Sequence, residues 1–183
     1  MKLRSRLGLA ALLSALATAS PAALLTTHYA HVSGTSWTVD LALTNDDGTP
    51  PAIEAFTAYF DEAWFANLQL LASPAGWDTI AVQPSTTIPA AGFIDALVMD
   101  PAHALGLGDQ AGGFRVQFDF LGSDAPGALA FDVHDPLTFD VITSGTSVDL
   151  PAPTVPEPAS AWLAFIALAA AAGAARRQAG GAR

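Results

Sequence analysis

The chain contains side chains capable of nucleophilic or acid–base chemistry, but no recognisable motif joins them. It has four histidines, seventeen carboxylates and no cysteine. A serine hydrolase of the common type needs its nucleophile on a Gly-x-Ser-x-Gly turn near a histidine base, and this turn does not occur in the sequence. With so many carboxylates, some pair will always suit a glycosidase, so such pairs carry no information. The sequence therefore predicts no catalytic residue, no cofactor and no enzymatic activity.

Metal chemistry is also poorly supported by the spacing of these side chains. His28 and His31 are three residues apart, which on a strand points them to opposite faces. His103 and His134 stand alone in turn-like segments, so no metal site is predicted. Calcium is an alternative to simple turn hydrogen bonding, because two loops are rich in hard oxygen ligands. These are Asn45, Asp46 and Asp47 in one loop and Asp132 and Asp135 in the other.

Two tryptophans suggest a different kind of site, because an exposed indole can stack on a sugar ring. Trp64 and Trp77 are the candidates in the middle of the chain. They support an alternative function, a carbohydrate-binding or weakly hydrolytic exported module with a permanent C-terminal anchor. Tryptophan is usually largely buried, so a core position is the competing interpretation for each of them.

Charge separates the middle of the chain from its two ends. Arg115 is the one cationic residue between Leu24 and Val155, where sixteen of the seventeen carboxylates lie. Nucleic-acid binding needs clustered lysine and arginine, so this composition excludes it as a partner. An acidic surface of this kind also disfavours docking to anionic lipid headgroups.

The elements that must position these side chains are predicted to be strands. Alternating apolar and polar residues indicate strands over residues 37–44, 56–60 and 114–120. Shorter candidates, separated by turns rich in glycine and proline, cover residues 78–82, 93–99, 129–133 and 137–142. Residues 61–71 are the one candidate for a short helix, because Phe65, Leu68 and Leu71 recur at a spacing of three.

About seven short strands without β–α alternation predict an all-β fold. The expected architecture is an antiparallel two-sheet sandwich of immunoglobulin-like or related topology. The cysteine–tryptophan–cysteine signature of true immunoglobulin domains is absent, so this likeness is one of architecture. The predicted domain covers residues 23–150, and a proline-rich linker, residues 151–158, follows it.

The N-terminal residues 1–22 have the three parts of a secretory signal peptide. A basic region is followed by a short apolar core over residues 7–16 and by small residues suited to signal peptidase. Cleavage is predicted after Ala19, with Ala22 as a close alternative. The apolar core is too short for an uncleaved membrane anchor. Export through the Sec translocon is therefore expected.

Residues 159–175 have the composition of a marginal membrane span. These 17 residues carry no charge, and as a helix they would rise about 25 Å, close to the minimum for crossing a bilayer core. Arg176 and Arg177 follow the segment, which places the C-terminal tail, residues 176–183, in the cytoplasm and the main body outside. The predicted anchor begins at Ala159, and its hydrophobicity comes mainly from Trp162, Leu163, Phe165, Ile166 and Leu168.

Pro156, Glu157 and Pro158, followed by the apolar run and the arginine pair, resemble the PEP-CTERM sorting signal of Gram-negative bacteria. That family is also called the ice-binding-protein C-terminal region, but this chain lacks the regular threonine array of an ice-binding surface. The resemblance implies that an exosortase-type membrane transpeptidase recognises Pro156-Glu157-Pro158 and cuts near it. An ordinary C-terminal anchor with incidental prolines is the alternative.

These expectations together describe a non-catalytic bacterial surface or extracellular-matrix protein. It would be exported, held for a time in the inner membrane as a single-pass intermediate, and then processed and delivered to the cell surface or matrix. The expected partners are the Sec translocon, signal peptidase, the membrane and the transpeptidase, with exopolysaccharide as a further candidate.

Overall fold

The computed structural model describes residues 23–48 and 50–151. The predicted signal peptide, sorting motif, membrane anchor and basic tail lie outside these residues, so they stay predictions. The described part of the chain is all-β, apart from a 3₁₀ turn at Pro101–His103. No helix in this part is long and apolar enough to cross a membrane.

Ten strands are present in the described residues, and they form two five-stranded sheets. In chain order they are β1 (Leu24–Ser33), β2 (Ser36–Thr44), β3 (Ala55–Phe60), β4 (Phe65–Ala72), β5 (Trp77–Val82), β6 (Gly92–Val98), β7 (Gln110–Phe120), β8 (Ala130–His134), β9 (Val141–Thr146) and β10 (Val148–Asp149). The first sheet has the order β10-β1-β2-β7-β4, and the second sheet has the order β5-β6-β3-β8-β9. The predicted two-sheet, all-β class is confirmed.

Strand pairing in the described residues is antiparallel with one exception. β10 runs parallel to β1, with Thr26 opposite Val148. This pair forms because the chain leaves β9 at the edge of the second sheet and enters β10 at the edge of the first. Ser147 lies at the crossing, where its buried hydroxyl accepts a hydrogen bond from the Leu129 N–H at 2.9 Å. The prediction of a wholly antiparallel sandwich is therefore wrong at this edge.

The two sheets pack face to face through aromatic side chains. Phe56 of the second sheet meets Phe114 of the first with ring centroids 5.1 Å apart and nearly perpendicular planes. Phe60 of the second sheet contacts Phe118 of the first at 5.9 Å. The first pair is edge-to-face and the second is tilted, and edge-to-face pairs are favourable beyond the area that they bury. All four rings are fully buried or nearly so, so this aromatic layer is the centre of the core.

Six of the seven predicted strands are confirmed with small shifts at their ends. The alternating segments 37–44, 56–60 and 114–120 correspond to β2, β3 and β7, and three of the shorter candidates correspond to β5, β6 and β8. In β2, Val39, Leu41 and Leu43 are buried while the residues between them are half-exposed. This is the two-residue period expected of a sheet with one face against a core.

The predicted helix over residues 61–71 is wrong, because Phe65–Ala72 is strand β4. Asn67 has a positive φ of 55°, and the register of β4 on β7 shifts between Ala66 and Gln69. This bulge places one extra residue in the strand, so Phe65 and Leu68 are both buried although they are three residues apart. A β-bulge can therefore imitate the spacing of a helix.

The last predicted strand, residues 137–142, is misplaced, because β9 covers Val141–Thr146. Asp135 holds the preceding turn by accepting hydrogen bonds from the N–H groups of Leu137 at 2.8 Å and Thr138 at 2.9 Å. Phe139 in that turn has a φ of 61°. β1 and β10 were not predicted at all. β1 was missed because one of its core-facing residues is the buried Thr27, which weakens the alternation.

Candidate functional site

A cleft of about 700 Å³ opens at the end of the domain where β3, β4, β7 and β8 meet. Its walls come from both sheets and from the loop that joins β7 to β8. Among its lining residues are Tyr59, Asp61, Glu62, Trp64, Phe120 and Asp124. The volume is in the range of small-ligand sites, which are about 300–1,000 Å³.

Trp64 is held in the cleft although about half of its side chain is exposed, 52%. Its indole stacks on the buried ring of Phe120, with centroids 6.5 Å apart and an interplanar angle of 29°. The Trp64 N–H donates to the Asp61 carbonyl at 3.0 Å, and the Trp64 carbonyl accepts from the Leu121 N–H at 2.8 Å. Both backbone groups of Trp64 are therefore fixed to neighbouring turns.

Gly122 allows this aromatic pair to form. A Cβ atom at this position would lie 2.6 Å from the Phe120 ring and 3.4 Å from the Trp64 ring. The first distance is too short for any side chain, so only glycine fits beside the stacked rings. Phe120 and Gly122 are site residues that the sequence reasoning missed. The available signal was a glycine two residues after the last aromatic residue of a predicted strand.

The polar side chains that line the cleft are three carboxylates and the hydroxyl groups of Tyr59 and Ser123, beside the Trp64 indole. Asp61 Oδ1 accepts from the Ala63 N–H at 2.8 Å, which shapes the turn that carries Trp64. The Tyr59 hydroxyl donates to Asp132 Oδ2 at 2.9 Å. Partial burial and this hydrogen bond to a carboxylate raise the pKa of Tyr59 to about 12. Among the described lining residues there are three carboxylates and no cation.

Trp77, the other candidate for sugar stacking, is in the core. Only 7% of its side chain is exposed. Its indole meets the rings of Phe114 at 5.5 Å and Phe56 at 6.0 Å, both edge-to-face. Trp77 therefore belongs to the aromatic layer between the sheets, and the prediction that it could be an exposed stacking residue is wrong.

The histidines do not come together in the described structure. His28 Nδ1 lies 3.2 Å from the Leu150 carbonyl, and His31 Nε2 lies 3.0 Å from the Gly34 carbonyl. His103 is an exposed residue of the 3₁₀ turn. His134 lies in β8 rather than in a turn, half-buried, with Nε2 3.0 Å from the Thr57 hydroxyl. No group of three or more histidine and acidic side chains that could hold a metal ion occurs within residues 23–48 and 50–151.

In each of the two loops considered for calcium, one side-chain oxygen accepts turn hydrogen bonds, Asn45 Oδ1 in the first and Asp135 Oδ1 in the second. The buried Asn45 side chain donates to the carbonyls of Pro50 at 3.0 Å and Leu105 at 2.9 Å, and it accepts from the Gly48 N–H at 2.9 Å. In the other loop, the N–H groups of Thr138 and Leu137 lower the pKa of Asp135 below its ordinary value. These contacts favour the turn interpretation over a calcium site.

Arg115, the single cation of the middle region, lies on the same strand as Phe120 but is not among the residues that line the cleft. Its guanidinium forms a two-point ion pair with Asp40 across β2 and β7, with nitrogen–oxygen distances of 2.6 and 2.9 Å. Bidentate contacts of this type fix the arginine geometrically.

Comparison with known proteins identifies the C-terminal region. Residues 154–178 match the PEP-CTERM protein-sorting motif. The resemblance inferred from Pro156, Glu157 and Pro158 is thereby confirmed, and the chain carries a PEP-CTERM sorting signal. The matched residues lie outside those that the structure describes. No curated protein matches the chain.

Two solved structures illustrate the distant similarity of the folded part. A GH20 exo-β-N-acetylglucosaminidase from Vibrio harveyi aligns with 10% identity and a TM-score of 0.34, covering 75% of this chain and 19% of the enzyme. The second type II cohesin module of the ScaA scaffoldin from Acetivibrio cellulolyticus aligns with 11% identity and a TM-score of 0.35, covering 72% and 95% of the two chains. This chain thus corresponds to about a fifth of the glucosaminidase. At these scores neither similarity supports an inference about activity or ligand.

Proposed function

We propose that this protein is an exported bacterial surface or extracellular-matrix protein with a binding or structural role and no catalytic role. The observation that carries the proposal is the PEP-CTERM motif at residues 154–178. Signals of this kind imply an exported protein and an exosortase-type processing enzyme. The acidic composition of the folded part adds support, because a strongly charged surface keeps an exported domain soluble.

In this proposal, Pro156, Glu157 and Pro158 are the residues on which the transpeptidase acts. Residues 159–175 hold the chain in the inner membrane, and Arg176 and Arg177 keep the tail in the cytoplasm. The short, alanine-rich span suits a temporary anchor, because its insertion is only marginally favourable. Cleavage then releases the folded domain, or transfers it, to the cell surface or matrix.

The mass of the mature protein, purified from its native host, tests this proposal. Processing predicts a C-terminus near Pro158, either free or carrying a modification. Glu157→Gln should leave the chain uncleaved, whereas the matched acidic control Asp78→Asn, at an exposed position in β5, should be processed like the parent. An intact chain ending at Arg183 in the parent would refute the processing step.

The finer fold assignment is also a proposal, namely that the sandwich belongs to the immunoglobulin-like architectures. Two facing sheets of five strands, with the chain crossing from β9 to the opposite sheet at β10, support it. Cross-strand amide contacts measured by NMR would test it through the strand order. A barrel with continuous pairing between the two sheets would contradict it.

A second candidate function is a carbohydrate-binding or weakly hydrolytic module with a permanent anchor. The exposure of Trp64 in a concave site favours this candidate. It differs from the first proposal in its mature form, since the chain would remain intact in the membrane. Release of reducing sugar by the purified chain would support the hydrolytic version, and its absence would leave binding alone.

A further inference from the structure

The cleft around Trp64 has the properties of a prepared ligand site. A tryptophan that leaves half of its surface in water gives up part of the free energy that its burial would provide. The ring nevertheless stacks on Phe120, and the backbone that carries it is hydrogen-bonded at both its N–H and its carbonyl. An exposed, immobilised aromatic face in a concave surface is typical of binding sites.

The shape of the site suits a flat ring bound from the open side. The lining of the cleft includes the buried apolar residues Phe65 and Leu129 and the exposed Trp64. Phe65 and Phe120 contact each other with centroids 5.6 Å apart, so the support beneath Trp64 is continuous with the core. Binding of a ligand on Trp64 would therefore have a small entropic cost, because the protein side of the site is already ordered.

The polar groups of the site select the charge of the ligand. Asp61, Glu62 and Asp124 are hydrogen-bond acceptors when ionised, so they pair with the hydroxyl donors of a sugar. A carboxylate or sulfate on the ligand would meet like charge at close range. Within the described residues Arg115 is paired with Asp40 instead, and the lining side chains include no cation to offset that repulsion.

We infer that this cleft binds a glycan of uncharged pyranose units, with one sugar face stacked on Trp64 and its hydroxyl groups donating to the acidic rim. The apolar face of a sugar ring matches the indole, and the hydroxyl groups around its edge match the carboxylates. The inference rests on the proposed delivery of the domain to the cell exterior, and it names a neutral exopolysaccharide as the partner there.

The test uses the full chain, purified in detergent, on an array of oligosaccharides. The array holds neutral glucan, mannan and galactan oligomers, glucosamine oligomers, and uronate and sulfated oligomers. We expect binding to at least one neutral series, with an affinity that changes little between low and high salt. Titration calorimetry with that oligosaccharide then gives the dissociation constant.

Variants assign the binding to the cleft. Trp64→Ala should weaken binding at least tenfold, while Trp64→Phe, which keeps an aromatic face, should lose only part of that. Phe139→Ala is the matched control, because Phe139 is an aromatic residue with 74% exposure that does not line the cleft, and it should bind like the parent. If Trp64→Ala fails to fold, the double variant Glu62→Gln, Asp124→Asn replaces it, with an expected loss of about fivefold.

Three results would overturn the inference: no binding to any neutral oligomer, binding confined to charged oligomers, or neutral binding that folded Trp64→Ala retains in full. The mass of the mature protein is measured independently of these assays. Correct processing with no glycan binding would remove only this inference, whereas glycan binding together with an intact mature protein in the native host would remove only the sorting step.

Discussion

Trp64 and Trp77 begin neighbouring parts of the same fold, one just before β4 and the other at the start of β5, yet their surroundings are opposite. Trp77 is enclosed by Phe56 and Phe114 in the layer between the sheets. Trp64 lies over the end of that layer, with Phe120 on one side and the open cleft on the other. The same side chain is thus a core residue in one place and a surface for recognition in the other.

The difference shows that the role of a tryptophan in this fold depends on its position relative to the strands, and not on its residue type. In β5 the buried Trp77 and Thr79 alternate with exposed residues, and Trp77 contacts Phe114, so the first residue of the strand faces the opposite sheet. Trp64 belongs to a turn held by Asp61, outside the region where the two sheets overlap. A tryptophan in such a turn can be exposed without opening the core.

The largest expected effect separates the two tryptophans by stability. Trp77→Ala should lower the free energy of unfolding by about 3–5 kcal/mol, because it removes a buried aromatic side chain and leaves a cavity. Trp64→Ala should cost about 1 kcal/mol or less, since most of its contact is one stacked ring. Urea denaturation of both variants checks this. Equal losses would show that the contrast between the two sites is wrong.

A smaller effect is expected at the glycines beside the two sites. Gly76, next to Trp77, has a φ of 78°, and a Cβ atom there would overlap the imidazole of His103. Gly76→Ala should therefore cost about 1–3 kcal/mol. Gly127, on the rim of the Trp64 cleft, has nothing within 4 Å of its Cβ position, so Gly127→Ala should stay within about 0.5 kcal/mol of the parent. Thermal melting of both variants provides the comparison.

The smallest expected effect appears at alkaline pH on the cleft side. The pKa of Tyr59 is about 12 in the folded protein, whereas the ordinary pKa of a tyrosine is 10.0. The folded state keeps the phenol proton longer, so this contribution to stability is fully present below about pH 10 and is lost as the pH rises through 12. Tyr59→Phe should reduce the fall in the urea midpoint between pH 9 and pH 11.

Some of that fall should persist in Tyr59→Phe, because burial also raises the pKa of Tyr29. Its hydroxyl donates to the carbonyl of Gly127 on the cleft rim at 2.8 Å. Tyr29→Phe is therefore the companion variant, and the double variant should show the flattest profile. If the urea midpoint of the double variant fell between pH 9 and pH 11 as much as that of the parent, neither tyrosine would be the cause of the fall.

Much of the fold was predictable from the sequence because its strands have one face in the core. The alternation in β2 and β7 gave both their positions and their buried residues. β4 was not predictable in this way, because the bulge at Asn67 changes the register in the middle of the strand. The parallel pairing of β10 with β1 was also not predictable, since a strand of two residues is too short to show a periodic pattern.

The candidate cleft was only partly predictable. Trp64 was identified as one of two candidate stacking residues, but nothing local to either tryptophan distinguished them. The companion residues Phe120 and Asp124 come from a strand end and a loop far from Trp64 in the chain. Their meeting depends on the pairing of β4 with β7, where Phe65 lies opposite Phe120.

The sequence by itself determined the sorting signal, the acidic character of the folded part and its all-β class. Each of these depends on local sequence or on composition. The sorting signal is three residues followed by an apolar run, the acidic character is a count of charges, and the all-β class follows from a two-residue period. Only the tertiary structure decided which tryptophan is buried, where the cleft lies and which carboxylates surround it. Those properties arise from contacts between residues distant in the chain, and the packing of one sheet on the other creates them.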